Sequence, residues 1–138
     1  MKVFLDTNVL ISAFTTRGLS VDLYRLLLSE HEPMTGSVNL LEFKDVLERK
    51  FRAPAKDIKF AVQRLKELTI IELPEDLPAV HVRDPDDLSV LACAIAGEAE
   101  LLVTGDRDLL TVRAKLPLWI VSPRVCWEFL RAGGSISS

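Results

Sequence analysis

The feature that most constrains this chain is a short apolar run that ends on an acid, and it occurs twice. Val3-Phe4-Leu5 runs into Asp6-Thr7-Asn8 and then into Val9-Leu10-Ile11-Ser12-Ala13-Phe14, which carries the pattern of a helix. Leu101-Leu102-Val103-Thr104 runs into Gly105-Asp106-Arg107-Asp108-Leu109-Leu110 in the same way. A strand that ends on a carboxylate and turns directly into a helix belongs to an α/β architecture. In open parallel sheets, ligands bind beyond the carboxyl ends of the strands. Each aspartate also has a purely architectural reading, because Asp is a favoured N-cap.

The segments between these runs alternate in type. The first helix is expected to run to about Thr15. A second starts at Gly18 or Ser20, with Leu23, Leu26 and Leu27 at helical spacing. His31–Thr35 reads as a weak strand because it contains Pro33. Gly36-Ser37 opens a third helix, with Ser37 as N-cap and Val38, Leu41, Val46 and Leu47 as its apolar face. Pro54 suits the first turn of a fourth helix, whose stripe is Ile58, Ala61, Val62, Leu65 and Leu68. Thr69–Leu73 is β-branched and stops at Pro74, so it reads as a strand. After a loop over 74–83, which holds His81, Asp84 fits an N-cap and Pro85 the first position of a largely apolar helix. Strands at Glu100–Thr104 and Leu118–Val121 follow, then a last helix capped by Ser122-Pro123 and ended by Gly133-Gly134. This alternation predicts a three-layer α/β/α sandwich around a parallel sheet of about five strands. The reading is a single domain over 1–131 with a frayed tail over 132–138.

Composition narrows the class. With 138 residues, 49% hydrophobic and 27% charged, the chain has the make-up of an ordinary globular domain with a sizeable core. No apolar run reaches membrane-spanning length and no signal-peptide pattern is present, so a cytoplasmic protein without membrane contact is expected. Two cysteines, Cys93 and Cys126, sit in apolar helical patterns without metal-site spacing and read as buried thiols. The net charge of −3 argues against binding nucleic acid by bulk electrostatics. It is compatible with a cluster of acids that a divalent metal offsets.

The acids at strand ends and helix starts are Asp6, Glu42, the run Asp84-Pro85-Asp86-Asp87, and Asp106 with Asp108. Glu42 alone reads more readily as a solvated residue on an amphipathic helix; its position just after a strand end keeps the functional reading open. If the strands carrying Asp6 and Asp106 are neighbours at a topological switch point, the acids converge. All-oxygen ligation without histidine or cysteine suits Mg²⁺ or Mn²⁺ rather than zinc, and such sites serve phosphoryl chemistry. The basic stretch Arg49, Lys50, Arg52, Lys56 and onward to Lys66 is either a solvated face or a rim that contacts phosphates.

Taken in order, Asp6-Thr7-Asn8, Ser37 to Glu42 with Val46-Leu47, Asp87 with Ala92-Cys93-Ala94, and Thr104-Gly105-Asp106 with Asp108-Leu109-Leu110 resemble the PIN domain. This is the nuclease domain found in the VapC-like toxins of prokaryotic toxin–antitoxin pairs. The resemblance spans roughly residues 2–131. It implies Asp6, Glu42, Asp87 and Asp106 as a catalytic quartet holding Mg²⁺ or Mn²⁺, with Asp87 preferred over its neighbours. It also implies Thr7, Asn8, Thr104, Asp108 and Asp84 as supporting groups, RNA as substrate, and water as the nucleophile. A cognate antitoxin and a homodimer follow as expectations. An RNA-processing nuclease without an antitoxin, and a PIN fold that binds RNA or protein without cutting, remain as alternatives. An aspartate-nucleophile phosphatase fits poorly, because its second aspartate would fall at Asn8. Crowded acids should strain a metal-free fold, so Asp6→Asn is expected to leave that form at least as stable.

Overall fold

A computed structural model describes residues 1–112 and 114–133. Five parallel strands form one sheet in the order β3-β2-β1-β4-β5: β1 (Lys2–Leu5), β2 (Glu32–Gly36), β3 (Thr69–Ile71), β4 (Leu101–Val103) and β5 (Trp119–Val121). The helices are α1 (Thr7–Thr15), α2 (Leu19–Glu30), α3 (Ser37–Arg49), α4 (Ala55–Leu65), α5 (Pro85–Ala96), α6 (Arg107–Leu110) and α7 (Pro123–Arg131). The expected three-layer sandwich is therefore the observed one. Among the described residues no helix is long and apolar enough to cross a membrane.

Strand alternation assigns the two cores. Val3, Leu5, Leu101 and Val103 point to one face, where they meet Leu10, Leu23, Leu27, Phe43, Leu65 and Cys126. Phe4, Met34 and Leu102 point to the other, against Leu91, Cys93, Ala94 and Leu109. Successive side chains of a strand project to opposite faces, and a parallel sheet covered on both sides buries them all. That is why the central strands read as unbroken apolar runs. Full burial of a side chain such as Phe4 or Leu5 contributes about 1.5–3 kcal/mol.

The chain winds outward from β1 to β2 and β3, then crosses back through α5 to place β4 on the other side of β1. The switch point thus lies between β1 and β4, which pair in register as Val3↔Leu101, Phe4↔Leu102 and Leu5↔Val103. Both aspartate-bearing strand ends open onto this crevice.

Four local expectations are corrected. The segment around Pro33 is an internal strand, not a weak one. The Glu32 amide donates to the Met1 carbonyl, so the alternate residue Pro33 faces the other neighbour. That neighbour begins only at Thr69, opposite Met34, so the missing N–H removes no ladder bond. The third helix is capped by Gly36, and Ser37 is its first residue. A Cβ at Gly36 would lie 2.8 Å from Asn39 Oδ1 and 3.0 Å from Cys93 Sγ, so this turn packs tightly against α5. Pro54 occupies the N-cap rather than the first turn of α4. The strand predicted to reach Leu73 stops at Ile71, and Leu73 is exposed. The cap assignments at Asp84, with Pro85 following, and at Ser122 hold. Ala132 caps α7 and Gly133 follows with φ of 103°; the remainder of the expected tail, 134–138, lies outside the described residues.

Cys93 and Cys126 are fully buried, and burial pushes their thiols up to about 11 and about 12. The thiolate is the reactive species. Ellman's reagent should therefore label neither within minutes on the native protein and both in guanidinium chloride. Rapid native labelling would contradict the packing of α5 or α7.

Candidate active site

Asp6 ends β1 and caps α1. Its amide extends the β1–β4 ladder by donating to the Val103 carbonyl at 3.0 Å. Its carboxylate is enclosed by donors from three segments. Oδ1 accepts from the Thr7 amide at 2.8 Å and from Asn39 Nδ2 at 3.0 Å. Oδ2 accepts from Thr104 Oγ1 at 2.7 Å and from Asn8 Nδ2 at 3.2 Å. Burial raises the Asp6 pKa above the ordinary carboxylate value, and the Asp106 charge adds to the rise; bonds from Thr104, Thr7 and Asn39 oppose it.

The second shell carries this order across the crevice. Thr104 Oγ1, while donating to Asp6, accepts the Asp106 amide at 3.0 Å. Asn8 Oδ1 accepts the Gly105 amide at 2.8 Å. Gly105 needs no left-handed conformation: φ is not in that region, and a Cβ there would meet Asn8 Oδ1 only at 3.5 Å. Asp106 caps α6 by accepting the Asp108 amide at 2.9 Å. Both architectural readings of the strand-end aspartates are therefore correct as far as they go.

Beyond these strand ends lies a cleft of about 320 Å³ lined by Asp6, Glu42, Asp84, Asp86, Asp87 and Asp106, together with Asn8, Val38, Asn39, Ser89 and Val90. Six carboxylates line it and, among the described residues, no lysine, arginine or histidine does. Glu42 is exposed on its wall. The three acids at the start of α5 are distinguished by burial. Asp84 is exposed and accepts the Asp86 amide, Asp86 is exposed, and Asp87 is only 7% exposed. Asp87 Oδ2 has no hydrogen-bond partner. Burial, then the charges of Asp106, Asp84, Asp6 and Asp108, push the Asp87 carboxyl up to about 7.

Thr7 and Thr104 are buried behind the cleft rather than on its wall, and Asp108 lines an adjoining cleft. Arg49, Lys50, Arg52 and Lys56 are exposed at the α3–α4 junction and do not line the acidic cleft; Arg49 pairs with Asp45 at 2.7 Å.

Asn39 is the site residue that the sequence reading passed over. It is 1% exposed and also donates to Thr7 Oγ1 at 2.9 Å. Its amide orientation is set by chemistry, since the reverse would turn an oxygen toward the Asp6 carboxylate. The available signal is its spacing: Asn39, Phe43 and Leu47 form the buried face of α3, whereas Leu41, expected there, is 66% exposed. The apolar pattern gave the wrong phase because a polar residue holds a core position.

The arrangement suits a hard divalent cation by three observations: an all-oxygen donor set, an unpartnered buried carboxylate oxygen, and no competing cation. Among the described residues no three acidic, histidine or cysteine side chains come close enough to hold one ion between them, so the expected quartet lines a common cleft without converging on one point. Mg²⁺ is accommodated by an open basin of this kind, since it takes one or two carboxylates and keeps several waters or phosphate oxygens.

A family model for the PIN domain matches residues 2–108. No curated protein matches the chain. Among solved structures, a chain in the crystal structure of VapBC2 from Rickettsia felis bound to a DNA fragment from their promoter superposes with a TM-score of 0.63. It is 18% identical, over 88% of this chain and 98% of that one.

These contacts reverse the expected effect of Asp6→Asn. Either amide orientation would set an N–H group against donors that Asp6 now satisfies, so in EDTA this variant should lose roughly 1–3 kcal/mol. Asp87→Asn should gain on the order of 1–3 kcal/mol at pH 8. The sign follows from a folded pKa near 7 against 3.8 for the free group: the penalty is absent below about pH 4, grows between 4 and 7, and is complete above. The gain should therefore vanish at pH 4. Urea melts of both variants at pH 4 and pH 8 test this, and a stabilised Asp6→Asn would overturn the hydrogen-bond assignment.

Proposed function

The chain belongs to the PIN domain family, and from that premise we propose that it is a divalent-metal-dependent endoribonuclease that acts as the toxin of a toxin–antitoxin pair in the cytoplasm. PIN domains are generally nucleases. The observation that carries the reading is Asp87, a buried carboxylate with one unpartnered oxygen, which lines an acidic cleft at the sheet's switch point.

Asp87 and Asp106 would hold Mg²⁺ or Mn²⁺ directly. Glu42, which lines the cleft, would ligate through water, and Asp6 would fix the inner end of the site. When bound, such an ion lowers the pKa of an attacking water and neutralises charge on the phosphoryl oxygens. The chain's own groups supply the rest. The Asp87 carboxyl, pushed up to about 7, would have to be deprotonated to hold the cation, which would tie affinity to pH. Asp6 already accepts two hydrogen bonds at each oxygen. Its direct ligation would displace the longest of them, the 3.2 Å bond from Asn8. Thr104 holds Asp106 at its backbone, and Val38 and Val90 close the apolar side of the cleft. The products expected of such hydrolysis are a 5′-phosphate and a 3′-hydroxyl.

The antitoxin part of the proposal rests on the structural likeness to a VapBC2 complex and on family membership. A short neighbouring reading frame for a small DNA-binding protein would support it. Co-expression that yields a stable complex would test it.

The nuclease reading is tested by cleavage of single-stranded RNA with Mn²⁺ or Mg²⁺. Asp87→Asn and Asp106→Asn should each lose roughly a hundredfold or more in rate, with the fold intact by circular dichroism. Variants that cut as fast as the wild type would refute the acidic site; RNA binding without cleavage would favour a binding module.

A further inference from the structure

A second cleft, formally neutral and partly apolar, holds the cation that the acidic cleft lacks. A shallow cleft of about 500 Å³ is lined by His81, Val82, Arg83, Asp108, Thr111 and Val112, with Ala114 at its edge. The two linings have no residue in common but are connected at two points. Arg83 directly precedes Asp84, and Asp108, on the near side, donates its amide to Asp106 on the far side. The basic stretch at the α3–α4 junction lines neither.

We propose that this second cleft is a nucleotide subsite: it seats the RNA residue next to the scissile bond, with Arg83 on its phosphate and the Val82–Val112 floor against its base or ribose. The proposal rests on the nuclease reading for its register, and on the geometry of the cleft for its existence.

Three features select that ligand. Arg83 is 86% exposed at its side chain, and one guanidinium nitrogen reaches Asp108 Oδ1 at 3.9 Å. A pair so long and so exposed holds little energy, and most of the five guanidinium donors remain available. A phosphate can therefore take one edge of the fork while Asp108 steadies another. Val82 and Val112 are half-buried and supply an apolar surface for a base or sugar face. A volume near 500 Å³ accommodates one nucleotide, and His81 is exposed at the rim with both ring nitrogens able to serve a base edge. An acidic peptide would use the cation but not the flat apolar floor.

Arg83 is thus a positioning residue, and its test separates binding from chemistry. With Mn²⁺ and a fluorescent single-stranded RNA, Arg83→Ala should raise KM about tenfold and leave kcat within about threefold. Arg83→Lys should recover part of the loss, since it restores charge without the fork. On a dinucleotide without terminal phosphates, which lacks the neighbouring phosphate that Arg83 would hold, the Arg83→Ala effect should shrink below about twofold. An equal effect on short and long substrates, or a fall in kcat alone, would overturn the subsite. A metal-free arm stands apart from cleavage. Adenosine 5′-monophosphate titrated into ¹⁵N-labelled protein with EDTA should shift the amides of Val82, Arg83, Thr111 and Val112 in the wild type and not in Arg83→Ala. Shifts there in a protein that cuts no RNA would keep the subsite and remove the nuclease reading. Cleavage without any such shift, and with Arg83→Ala unaffected, would keep the nuclease and remove the subsite.

Discussion

The structure depends on one buried carboxylate. Moving an ion out of water is costly unless hydrogen bonds replace its hydration, and Asp6 obtains four of them from α1, α3 and the end of β4. Each donor has a topological consequence. The Thr104 bond requires β4 to lie beside β1, so it favours the crossover that creates the switch point. The Asn39 bond sets the rotation of α3 about its axis and thereby puts Glu42 on the wall of the cleft. The Thr7 bond starts α1. A residue that looks like a simple helix cap is the point at which strand order, helix phase and cleft wall are fixed together.

Asp87 is the opposite case. It is nearly as buried as Asp6, yet one of its oxygens has no partner and four other acids act on it. The two carboxylates therefore differ in what they can offer. Asp6 has its lone pairs occupied and resists displacement. Asp87 has an oxygen without a hydrogen-bond partner and a carboxyl whose charge its surroundings disfavour. A site built this way keeps its shape when empty of cation and concentrates the electrostatic cost at one side chain. In the proposed nuclease this is a division of labour between a carboxylate that organises and one that binds.

Much of this was legible from residue order. The strand-end aspartates, the Asp84-Pro85 helix start and the apolar runs of β1 and β4 are local signals, and they were enough to specify a parallel sheet and its carboxyl edge. The missed features are those decided by partners distant in sequence. Pro33 argues against an internal strand until the start of β3 is known to lie one residue further along. Asn39 breaks an apolar stripe, and hydropathy alone shifts the face of α3 to Leu41; only the partnership with Asp6, 33 residues away, makes a buried amide favourable. Arg83 resembles any loop arginine, and its meaning comes from the wall it shares with Asp108. The basic stretch over 49–66 was conspicuous by density, but it runs from the end of α3 through α4 and lines no part of the acidic cleft.

Charge ties the site to its proposed substrate. The chain's net charge is −3, and six carboxylates line one cleft; the rest of the molecule is thus formally at +3. The acidity is local, and the surface outside the cleft does not repel a polyanion. Within the cleft the position is reversed. A phosphodiester meets six acids with no cationic side chain among the described lining residues, so it cannot approach until divalent charge is present. A bound phosphodiester in turn supplies oxygens that an open, uncaged ion lacks. Each ligand then raises the affinity of the other by the same factor, as linkage requires. In the proposed nuclease no closed metal cage is needed to select the substrate, because incomplete coordination by the carboxylates would leave positions for phosphate oxygens to fill. Arg83 would hold the neighbouring phosphate outside the acidic field, where a fixed positive charge would not compete with the cation for Asp87.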